Sequence, residues 1–351
     1  MRLLIITQRV DPHDAQLGFF CSWLRHLASV VEQVQVITLD RRPGSLPPNV
    51  TIYSLGKEQC VNRWQRWRQF HRLAARLVQR AEADAVFAHM CPEYVMAAAP
   101  YAWRQRVPIV WWYTHRQRTW RVQLAHRIAA RVVTATEDSF PLASPKVAAI
   151  GHGIDGNLFQ PSGHGDGLPA DGARVILAAG RPSAVKRWDL LMRAMALLVR
   201  QRGRRDVRLV IAGCSRQDLS VLIRRSRLEP YVQCLGAVPH DEMARTYQRA
   251  HLFVNTSPPG LFDKVVLEAM ACGVAPVVCN PAFASCLGSD GAGLIAPAPE
   301  PEALARTITG ALDRADRDAS LGGRLREAVI RQHGVDHLIP RLVETLRAGG
   351  P

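Results

Sequence analysis

The sequence alternates between short, nearly continuous apolar runs and longer stretches with helical periodicity. The runs are rich in β-branched residues, as in RLLIIT near the N-terminus. Strands of this kind are typical of parallel sheets that helices cover on both faces. The pattern runs through the first half, starts again at Arg174–Ala179 and ends with a predicted strand at Gly293–Ala296. We therefore predict an α/β chain with two doubly wound domains.

A stretch rich in glycine, proline and aspartate separates the two halves. It runs from Gln160 to Gly172 without hydrophobic periodicity, which is typical of a linker. We therefore predict an N-terminal domain at 1–160, a linker at 161–172 and a C-terminal domain at 173–330. A helical segment at 331–351 follows, and one alternative is that it packs back on the N-terminal domain.

The composition is that of a globular protein. Of the 351 residues, 48% are hydrophobic and 21% are charged, which is too apolar a balance for a disordered chain. No apolar run approaches the ~18 residues of a membrane span, and the N-terminal run lacks a signal-peptide cleavage site. The eight cysteines form no CxxC pair. These features favour a reduced, cytoplasmic setting.

The charge is strongly basic. Lysine and arginine number 45 against 30 acidic residues, which gives a net charge of +15. Such a balance favours an anionic partner: nucleic acid, a phosphorylated ligand or an anionic membrane surface. The basic residues lie in both halves and no nucleic-acid-binding module is evident, so we expect no nucleic-acid partner.

Two common nucleotide-binding motifs do not occur. The residues after the first strand, QRVDPHDAQLGFF, contain only Gly18 where a dinucleotide-binding enzyme has three glycines. A Walker A sequence is also absent, which disfavours P-loop NTPases. The histidines are scattered without metal-ligand spacing, so we expect no metal and no cofactor.

A first candidate site follows the first strand of the second half. GRPSAVK, at 180–186, lies between that strand and a helical pattern, where doubly wound domains bind anionic ligands. Arg181 offers a planar fork of donors and Lys186 a point charge, and together they suit a diphosphate. The alternative is that both side chains are solvated in a loop.

A second element strengthens the phosphate interpretation. NTSPPGLFDKVVLEAMACG, at 255–273, has the pattern of a strand end, a loop and a helix that begins near Lys264. The free N–H groups at such a helix start favour phosphate. Glu268, about one turn further, is placed to accept hydrogen bonds from a ribose diol. The alternative for Glu268 is a surface glutamate stabilised near the helix N-terminus.

These segments resemble the donor domain of retaining GT-B glycosyltransferases, in glycosyltransferase family 4. The most specific similarity lies in GRPSAVKR and LFDKVVLEAMACGVAPVV, with VRLVIAG and LGAVPHDEMARTYQRAHLFVNTS between them. The first half agrees through DPHDAQLGFFCSWLRHLA, VFAHMCPEYV, IVWWYTH and KVAAIGHGIDGNLF. The resemblance covers nearly the whole chain. It implies two Rossmann-like domains whose parallel sheets face a cleft, the first on the acceptor side and the second holding the nucleotide-sugar donor.

The resemblance also implies roles for individual residues. Arg181 and Lys186 would bind the donor diphosphate, and Glu268 would bind the nucleotide ribose. His115, after the strand PIVWWYT, would line the reaction centre and orient the sugar. Gly18 would let the backbone approach the donor.

Other implied donor-site positions include one departure from the family. Val238 lies in the segment that would sit beside the base, and the helix start at Lys264 would support the departing diphosphate. The first member of the family's acidic pair falls at Gly260, which has no carboxylate to contact the donor hexose. Asp263 is a nearby acid that would substitute for it.

The loop after the first strand supplies candidates on the acceptor side. Asp11, His13 and Asp14 follow the carboxyl end of that strand, where they would meet an acceptor hydroxyl. An ordinary polar loop is the alternative.

The predicted helix at 62–82 has one apolar and one cationic face. Trp64 and Trp67 begin the apolar face. Arginines recur every four residues along the other: Arg68, Arg72, Arg76 and Arg80. Like charges at that spacing destabilise an isolated helix, which an anionic surface would relieve. We expect the helix to pack partly on the domain while its arginines and Trp64 or Trp67 face anionic lipid; solvated arginines are the alternative.

The function implied by the resemblance is that of a metal-independent, retaining hexosyltransferase with a UDP- or GDP-linked sugar as donor. Its acceptor would be a hydroxyl of a glycan or a lipid-linked sugar, used in polysaccharide biosynthesis at the cytoplasmic face of the membrane. The alternatives are a sugar-nucleotide epimerase of the same fold, a catalytically inactive relative and a basic nucleic-acid-binding protein.

Overall fold

The chain forms two compact units, each built on one wholly parallel sheet. Unit 1 comprises Met1–Gly153 together with the C-terminal residues from His333 onward, and unit 2 comprises Ile154–Gln332. This architecture confirms the prediction of two doubly wound α/β domains. The structure, a computed structural model, describes the residues 1–79, 82–162 and 172–349.

The sheet of unit 1 has seven strands in the order β3-β2-β1-β4-β5-β6-β7. The strands are β1 (Arg2–Val10), β2 (Gln33–Arg41), β3 (Val50–Ser54), β4 (Ala85–His89), β5 (Ile109–Trp112), β6 (Arg131–Thr134) and β7 (Val147–Ala149). The helices that connect them are α1 (Phe19–Val30), α2 (Arg63–Gln79), α3 (Pro92–Gln105) and α4 (Trp120–Ile128). Because neighbouring strands are parallel, these helices start at the carboxyl edge of the sheet.

The two faces of this sheet carry different helices. Side chains alternate between the faces along a strand, so Leu3 and Ile5 of β1 pack in one core with α1, whereas Leu4 and Ile6 pack in another with α2, α3 and α4. Both cores are formed by buried aliphatic and aromatic side chains. The sheet is therefore covered on both sides, as the nearly continuous apolar strands predict.

The sheet of unit 2 has five strands in the order β10-β9-β8-β11-β12. The strands are β8 (Arg174–Ala179), β9 (Val207–Ala212), β10 (Val232–Gly236), β11 (Leu252–Asn255) and β12 (Pro276–Val278). The helices are α5 (Trp188–Arg200), α6 (Arg216–Ser226), α7 (His240–Gln248), α8 (Lys264–Ala271), α9 (Ala284–Leu287), α10 (Pro301–Arg317) and α11 (Leu321–His333).

The predicted strand at Gly293–Ala296 is wrong. Ile295 makes a single bridge to Val278, and no longer ladder forms over this described segment. Gly293 has a φ of +78°, and the N–H of Leu294 closes a turn on Gly291. The apolar run is therefore bent at the point where a strand would have to begin.

The last helix, α12 (Val335–Ala348), belongs to unit 1. Its Leu338, Ile339 and Leu342 are buried in the same core as α1. The C-terminal segment thus packs on the N-terminal sheet, which is the alternative that the sequence left open.

The start of unit 2 lies before the predicted boundary at residue 160. Ile154 and Phe159 are fully buried in the core of unit 2, so the chain has entered this unit before residue 160. A short apolar stretch in a junction gives no sign of which core it joins. Of the predicted linker, residues 163–171 lie outside the described part of the chain.

Helix α2 forms inside the predicted range 62–82, and Arg80 lies outside the described residues. Four side chains on one of its faces are buried: Phe70, Ala74, Leu77 and Val78. This confirms that the apolar face packs on the domain. Trp64 and Trp67 do not share in this packing, because they are 65% and 51% exposed. In the described residues, no helix combines the length and the apolar composition that crossing a membrane requires.

Two glycines let the strand ends of unit 2 approach one another. Gly213, after β9, has a φ of +91°, and a Cβ on it would lie 2.6 Å from the carbonyl oxygen of Gly180, after β8. A Cβ on Gly180 would lie 2.7 Å from Cε of Lys186. Only glycine permits backbones and side chains to come this close. The loops at the carboxyl ends of β8 and β9 are therefore packed together around the stem of Lys186.

Replacing Gly213 by alanine tests this approach. Gly203→Ala is the matched control, because Gly203 has a φ of +68° but no atom of the described residues within 4 Å of a Cβ placed there. A left-handed alanine costs about 1–2 kcal/mol at either position. The clash with Gly180 adds about 1–3 kcal/mol at Gly213 alone. Thermal unfolding should therefore show the larger loss for Gly213→Ala, and equal losses would contradict the close packing.

Candidate functional site

The candidate residues of unit 2 gather at the carboxyl edge of its sheet. Lys186 lies in a 3-10 turn after β8, and Asp263 lies between β11 and α8. Since β8 and β11 are neighbours in the sheet, the loops that follow them meet at this edge. The structure thus brings together two residues that are distant in sequence.

Lys186 is held by three contacts. Its ammonium group lies 2.9 Å from Oδ1 of Asp263 and 3.5 Å from the hydroxyl of Ser257. Its backbone carbonyl accepts a hydrogen bond of 2.5 Å from the hydroxyl of Thr256. The side chain is only 16% exposed. The charge is therefore fixed in a partly enclosed position that suits a small anion.

Asp263 pairs with Lys186 instead of capping α8. It is the residue before the helix, but its side chain makes no capping hydrogen bond. Oδ1 pairs with Lys186, and Oδ2 accepts a hydrogen bond of 2.8 Å from Nδ2 of Asn255. The carboxylate therefore neutralises the lysine that was predicted to bind the diphosphate. A diphosphate would have to compete with Asp263 for that charge.

Arg181 lies in the loop after β8 and Gly260 in the loop after β11, at the same edge of the sheet. The carbonyl of Arg181 accepts a hydrogen bond of 3.2 Å from the indole N–H of Trp188, and the arginine side chain is in solvent. Gly260 has a φ of +94°, a conformation that residues with a side chain rarely adopt. The family's glutamate would be strained at this position. The glycine at this position therefore differs from the family's glutamate in backbone conformation as well as in charge.

Glu268 is buried in α8 and is 4% exposed, so the alternative of a surface glutamate is wrong. Its Oε2 accepts a hydrogen bond of 2.9 Å from the hydroxyl of Tyr247. Its Oε1 lies 3.4 Å from Nε2 of His240 and 4.0 Å from Nζ of Lys264. Burial acts to raise the pKa of the Glu268 carboxyl, but His240, Lys264 and Tyr247 outweigh it and hold the pKa below its ordinary value. Glu268 is therefore an anion at neutral pH.

Lys264, the first residue of α8, points into this cluster. Burial lowers the pKa of its ammonium group to about 8, although Glu268 and Asp155 oppose the shift. A lysine with this pKa loses its proton under mildly alkaline conditions. An anionic ligand nearby would raise the pKa again. Binding of an anion at this edge and protonation of Lys264 are therefore coupled.

Sequence patterns did not reveal the partners of Glu268. His240 begins α7, and Tyr247 lies two turns later on the same face of that helix. The spacing shows that the two side chains share a face, but not which neighbouring helix the face contacts. Val238, just before α7, is partly buried against the core of unit 2. Its place beside a nucleotide base stays a prediction.

Asp14, an acceptor-side candidate of unit 1, has a structural role in the loop before α1. Its Oδ1 accepts hydrogen bonds of 2.7 and 2.9 Å from two backbone N–H groups, and Oδ2 pairs with Arg9. Burial acts to raise the pKa of Asp14, but these partners outweigh it and lower the pKa. Asp11 accepts the N–H of His13 at 3.0 Å. Both carboxylates thus order the loop, and contact with an acceptor stays a prediction.

Gly18 and His115 also lie at the carboxyl edge of unit 1. Gly18 is buried just before α1 with a φ of −55°, so its backbone does not itself require glycine. His115 is exposed in the loop after β5, and its Nδ1 accepts the N–H of Gln117 at 3.1 Å. This bond leaves the proton of the neutral ring on Nε2. The roles of both residues toward a donor stay predictions.

Residues 173–314, most of unit 2, match the family model described as "Glycosyl transferases group 1". The match contains Lys186, Asp263 and Glu268. The two parallel α/β units define a chain of GT-B fold, and most of its second unit is similar to the group 1 glycosyltransferases. Both findings agree with the resemblance to GT-B glycosyltransferases that was drawn from the sequence, and its retaining character stays a prediction.

Known proteins similar to this chain agree with that assignment. The D-inositol 3-phosphate glycosyltransferase of Thermobispora bispora is 30% identical over an alignment of 226 positions, and the match covers 59% of this chain and 53% of that protein. The chain spans about half the length of the curated relatives it matches.

Two solved structures share the fold over almost the entire chain. The sucrose-phosphate synthase of Thermosynechococcus elongatus has a TM-score of 0.78 at 17% identity, covering 99% of both chains. Anabaena HepE in complex with UDP and glucose has a TM-score of 0.73 at 20% identity, covering 99% of this chain and 100% of its own. At these identities the similarity is one of fold.

The pair between Asp263 and Lys186 leads to a prediction about binding. Asp263→Ala removes the competing carboxylate, so UDP or GDP is expected to bind roughly two- to fivefold more tightly. A sugar nucleotide should gain less or bind more weakly, because it loses the proposed hexose contact. Isothermal titration with UDP, GDP and a sugar nucleotide of each measures the four dissociation constants.

Asp189→Ala is the control for this experiment, because it removes an acid of unit 2 whose partner is Arg193, at 3.5 Å. It should leave all four dissociation constants unchanged. An equal loss of affinity for nucleotide and sugar nucleotide in Asp263→Ala would contradict both roles of the carboxylate.

Proposed function

We propose that this chain is a retaining hexosyltransferase that moves a hexosyl group from a UDP- or GDP-linked sugar to an acceptor hydroxyl. The observation that carries the proposal is the cluster of charged groups at the carboxyl edge of the sheet of unit 2. There, Lys186 lies beside the start of α8, and α8 holds the buried anion Glu268. The group 1 match over 173–314 and the fold shared with the UDP complex of Anabaena HepE support a nucleotide-sugar ligand.

The transfer needs stabilisation of the charge that grows on the departing diphosphate. Lys186 and Arg181 supply cations, and the free N–H groups at the start of α8 supply dipoles directed at the same place. Three such groups serve this purpose without a metal ion. The acceptor oxygen bonds to the anomeric carbon on the face that the diphosphate leaves, and the departing phosphate oxygen takes the acceptor proton. This course retains the anomeric configuration, with His115 orienting the sugar.

Glu268 supplies specificity for the nucleotide in this proposal. Its carboxylate is charged and is held in place by Tyr247 and His240. Little conformational entropy is therefore lost in orienting this carboxylate when a ligand binds. A ribose diol would donate to Oε1, in place of or beside the more distant Lys264. Unit 1 would supply the acceptor site, at the edge that carries His115 and the Asp11 loop.

Removing either cation should slow transfer strongly. Arg181→Ala and Lys186→Ala each leave part of the developing charge without a partner, which typically costs about 10²–10³ in rate. The measurement is the release of UDP or GDP from the sugar nucleotide in the presence of candidate acceptors. It is made in buffer with and without a chelator. Arg193→Ala, an exposed arginine on α5, is the matched control and should keep the wild-type rate.

The anomeric configuration of the product, read by NMR, tests retention directly. An inverted product or complete loss of activity with chelator would contradict the proposed mechanism. Binding of nucleotide without turnover of any sugar nucleotide would favour an inactive GT-B protein. That alternative draws support from Gly260 and from the neutralisation of Lys186 by Asp263.

We further propose that α2 brings the protein to an anionic cytoplasmic membrane surface, where a lipid-linked sugar would serve as acceptor in polysaccharide synthesis. Arg68, Arg72 and Arg76 are exposed on α2. Trp64 and Trp67 extend from its first turns, where they would suit the headgroup boundary. Arg76 also lies over the ring of Tyr53 at 5.1 Å, so part of its surface is used within the unit.

Binding to vesicles should follow the charge of α2. Each arginine near an anionic surface contributes about 1 kcal/mol, so changing Arg68, Arg72 and Arg76 to glutamine should weaken co-sedimentation with phosphatidylserine vesicles by roughly 10²-fold. The control changes three exposed arginines of α6 to glutamine: Arg216, Arg224 and Arg225. Co-sedimentation that does not depend on salt or on anionic lipid would contradict the proposal. Equal co-sedimentation of both variants would contradict it as well, and the arginines of α2 would then be solvated.

A further inference from the structure

Unit 1 contains a cavity of about 290 Å³ between the first turns of α2 and the carboxyl ends of β1 and β2. Its floor is apolar, because Ile6, Ile37, Leu55 and Phe70 line it and each is at most 7% exposed. Small-molecule sites have mostly apolar walls and volumes that start near this size. The cavity lies at the edge of the sheet from which α1, α2, α3 and α4 begin.

The side of this cavity formed by α2 is cationic and aromatic. Arg63 and Arg66 line it, and neither forms an ion pair with a carboxylate in the part of the chain that the structure describes. Trp67 also lines it and is half exposed, with its ring stacked on Trp64 at 4.9 Å between centroids and 10° between planes. An apolar interior thus adjoins two guanidinium groups and a flat aromatic surface.

The two acidic or ionisable side chains that also line the cavity do not offset this charge. Glu93 lines it, but its carboxylate pairs with Arg121 at 3.3 Å. Tyr94 also lines it, and burial raises the pKa of its hydroxyl well above the ordinary value, so that it stays neutral. The cavity therefore matches an amphipathic anion, with a short apolar part that enters and a phosphate that stays at the arginines.

We propose that this cavity binds a phosphorylated lipid, with the first carbons of its chain on the apolar floor and its phosphate between Arg63 and Arg66. The volume admits a few carbon units, so the remaining chain would continue past Trp67 and Trp64 toward the membrane. The inference rests on the proposed function, because the lipid would be the carrier of the acceptor sugar. It deepens that function by naming the acceptor class and the residues that hold it.

Titration with three probes tests the proposal on the full chain: geranyl diphosphate, inorganic diphosphate and geraniol. Geranyl diphosphate should bind best, because it alone has both the apolar chain and the charge. Two buried methylene groups correspond to roughly a tenfold gain in affinity, so inorganic diphosphate should bind at least about tenfold more weakly. Equal binding of geranyl and inorganic diphosphate would show a free-phosphate site and overturn the proposal.

Substitutions in the lining locate the lipid chain and the phosphate separately. Ala97→Phe fills the cavity from α3 and should weaken geranyl diphosphate about tenfold or more. Ala75→Phe adds the same ring to α2 at a partly buried position outside the lining and should change nothing. Arg63→Gln with Arg66→Gln should remove the preference for geranyl diphosphate over geraniol. If Ala97→Phe fails to fold, Leu39→Trp fills the cavity from β2 instead. Unchanged affinity in the filled variant would overturn the proposal.

Nucleotide binding, measured on the same preparations, separates this inference from the proposed function. A wild-type chain that binds geranyl diphosphate in the cavity but neither binds nor cleaves a nucleotide sugar contradicts the proposed function alone. A chain that transfers sugar but binds geranyl diphosphate no better than geraniol contradicts the lipid site alone.

Discussion

Parallel pairing of the strands is the constraint on which both units depend. A parallel neighbour is reached only by a crossover, so the loops after successive strands emerge at one edge of the sheet. In unit 2 the loops at this edge pack closely at two glycines. A Cβ on Gly213 would lie less than 3 Å from the backbone of Gly180, and a Cβ on Gly180 would lie less than 3 Å from the side chain of Lys186. Lys186 is a neighbour of Asp263 and of the start of α8 for this reason, although it is distant from both along the chain.

The charges at this edge are arranged in pairs, and the pairing governs what the site can bind. Lys186 is matched by Asp263, and Glu268 is matched by Lys264 and His240. A partly buried charge is costly without a partner. The pairs therefore keep both ammonium groups in fixed positions, which lowers the reorganisation needed for an anion. They also limit which anions bind, because a ligand must carry more negative charge than the Asp263 carboxylate that it displaces from Lys186.

The alternation of strands and helices was sufficient to predict the fold class, because it needs only local periodicity. Positions that depend on tertiary packing were not predictable in this way. Trp64 and Trp67 continue the apolar face of α2 by spacing, yet they are exposed, because beneath the first turns of α2 lies a cavity and not a packed sheet. Two partners of Glu268, His240 and Tyr247, come from α7, and the sequence of α7 does not state which helix it contacts. The site motifs were found because each one lies within a single loop and helix start.

The loop before α8 combines two departures that belong together. Gly260 has a φ of +94°, so the loop takes a path that a glutamate would strain. The acid of this loop is Asp263 instead, and it contacts Lys186 and Asn255. Exchanging Gly260 for glutamate would not restore the family's arrangement, because the new side chain would be strained and two acids would then share the loop beside Lys186. In the proposed function, recognition of the hexose and control of the predicted phosphate-binding lysine would fall to the same carboxylate, which would link the choice of sugar to the binding of the diphosphate.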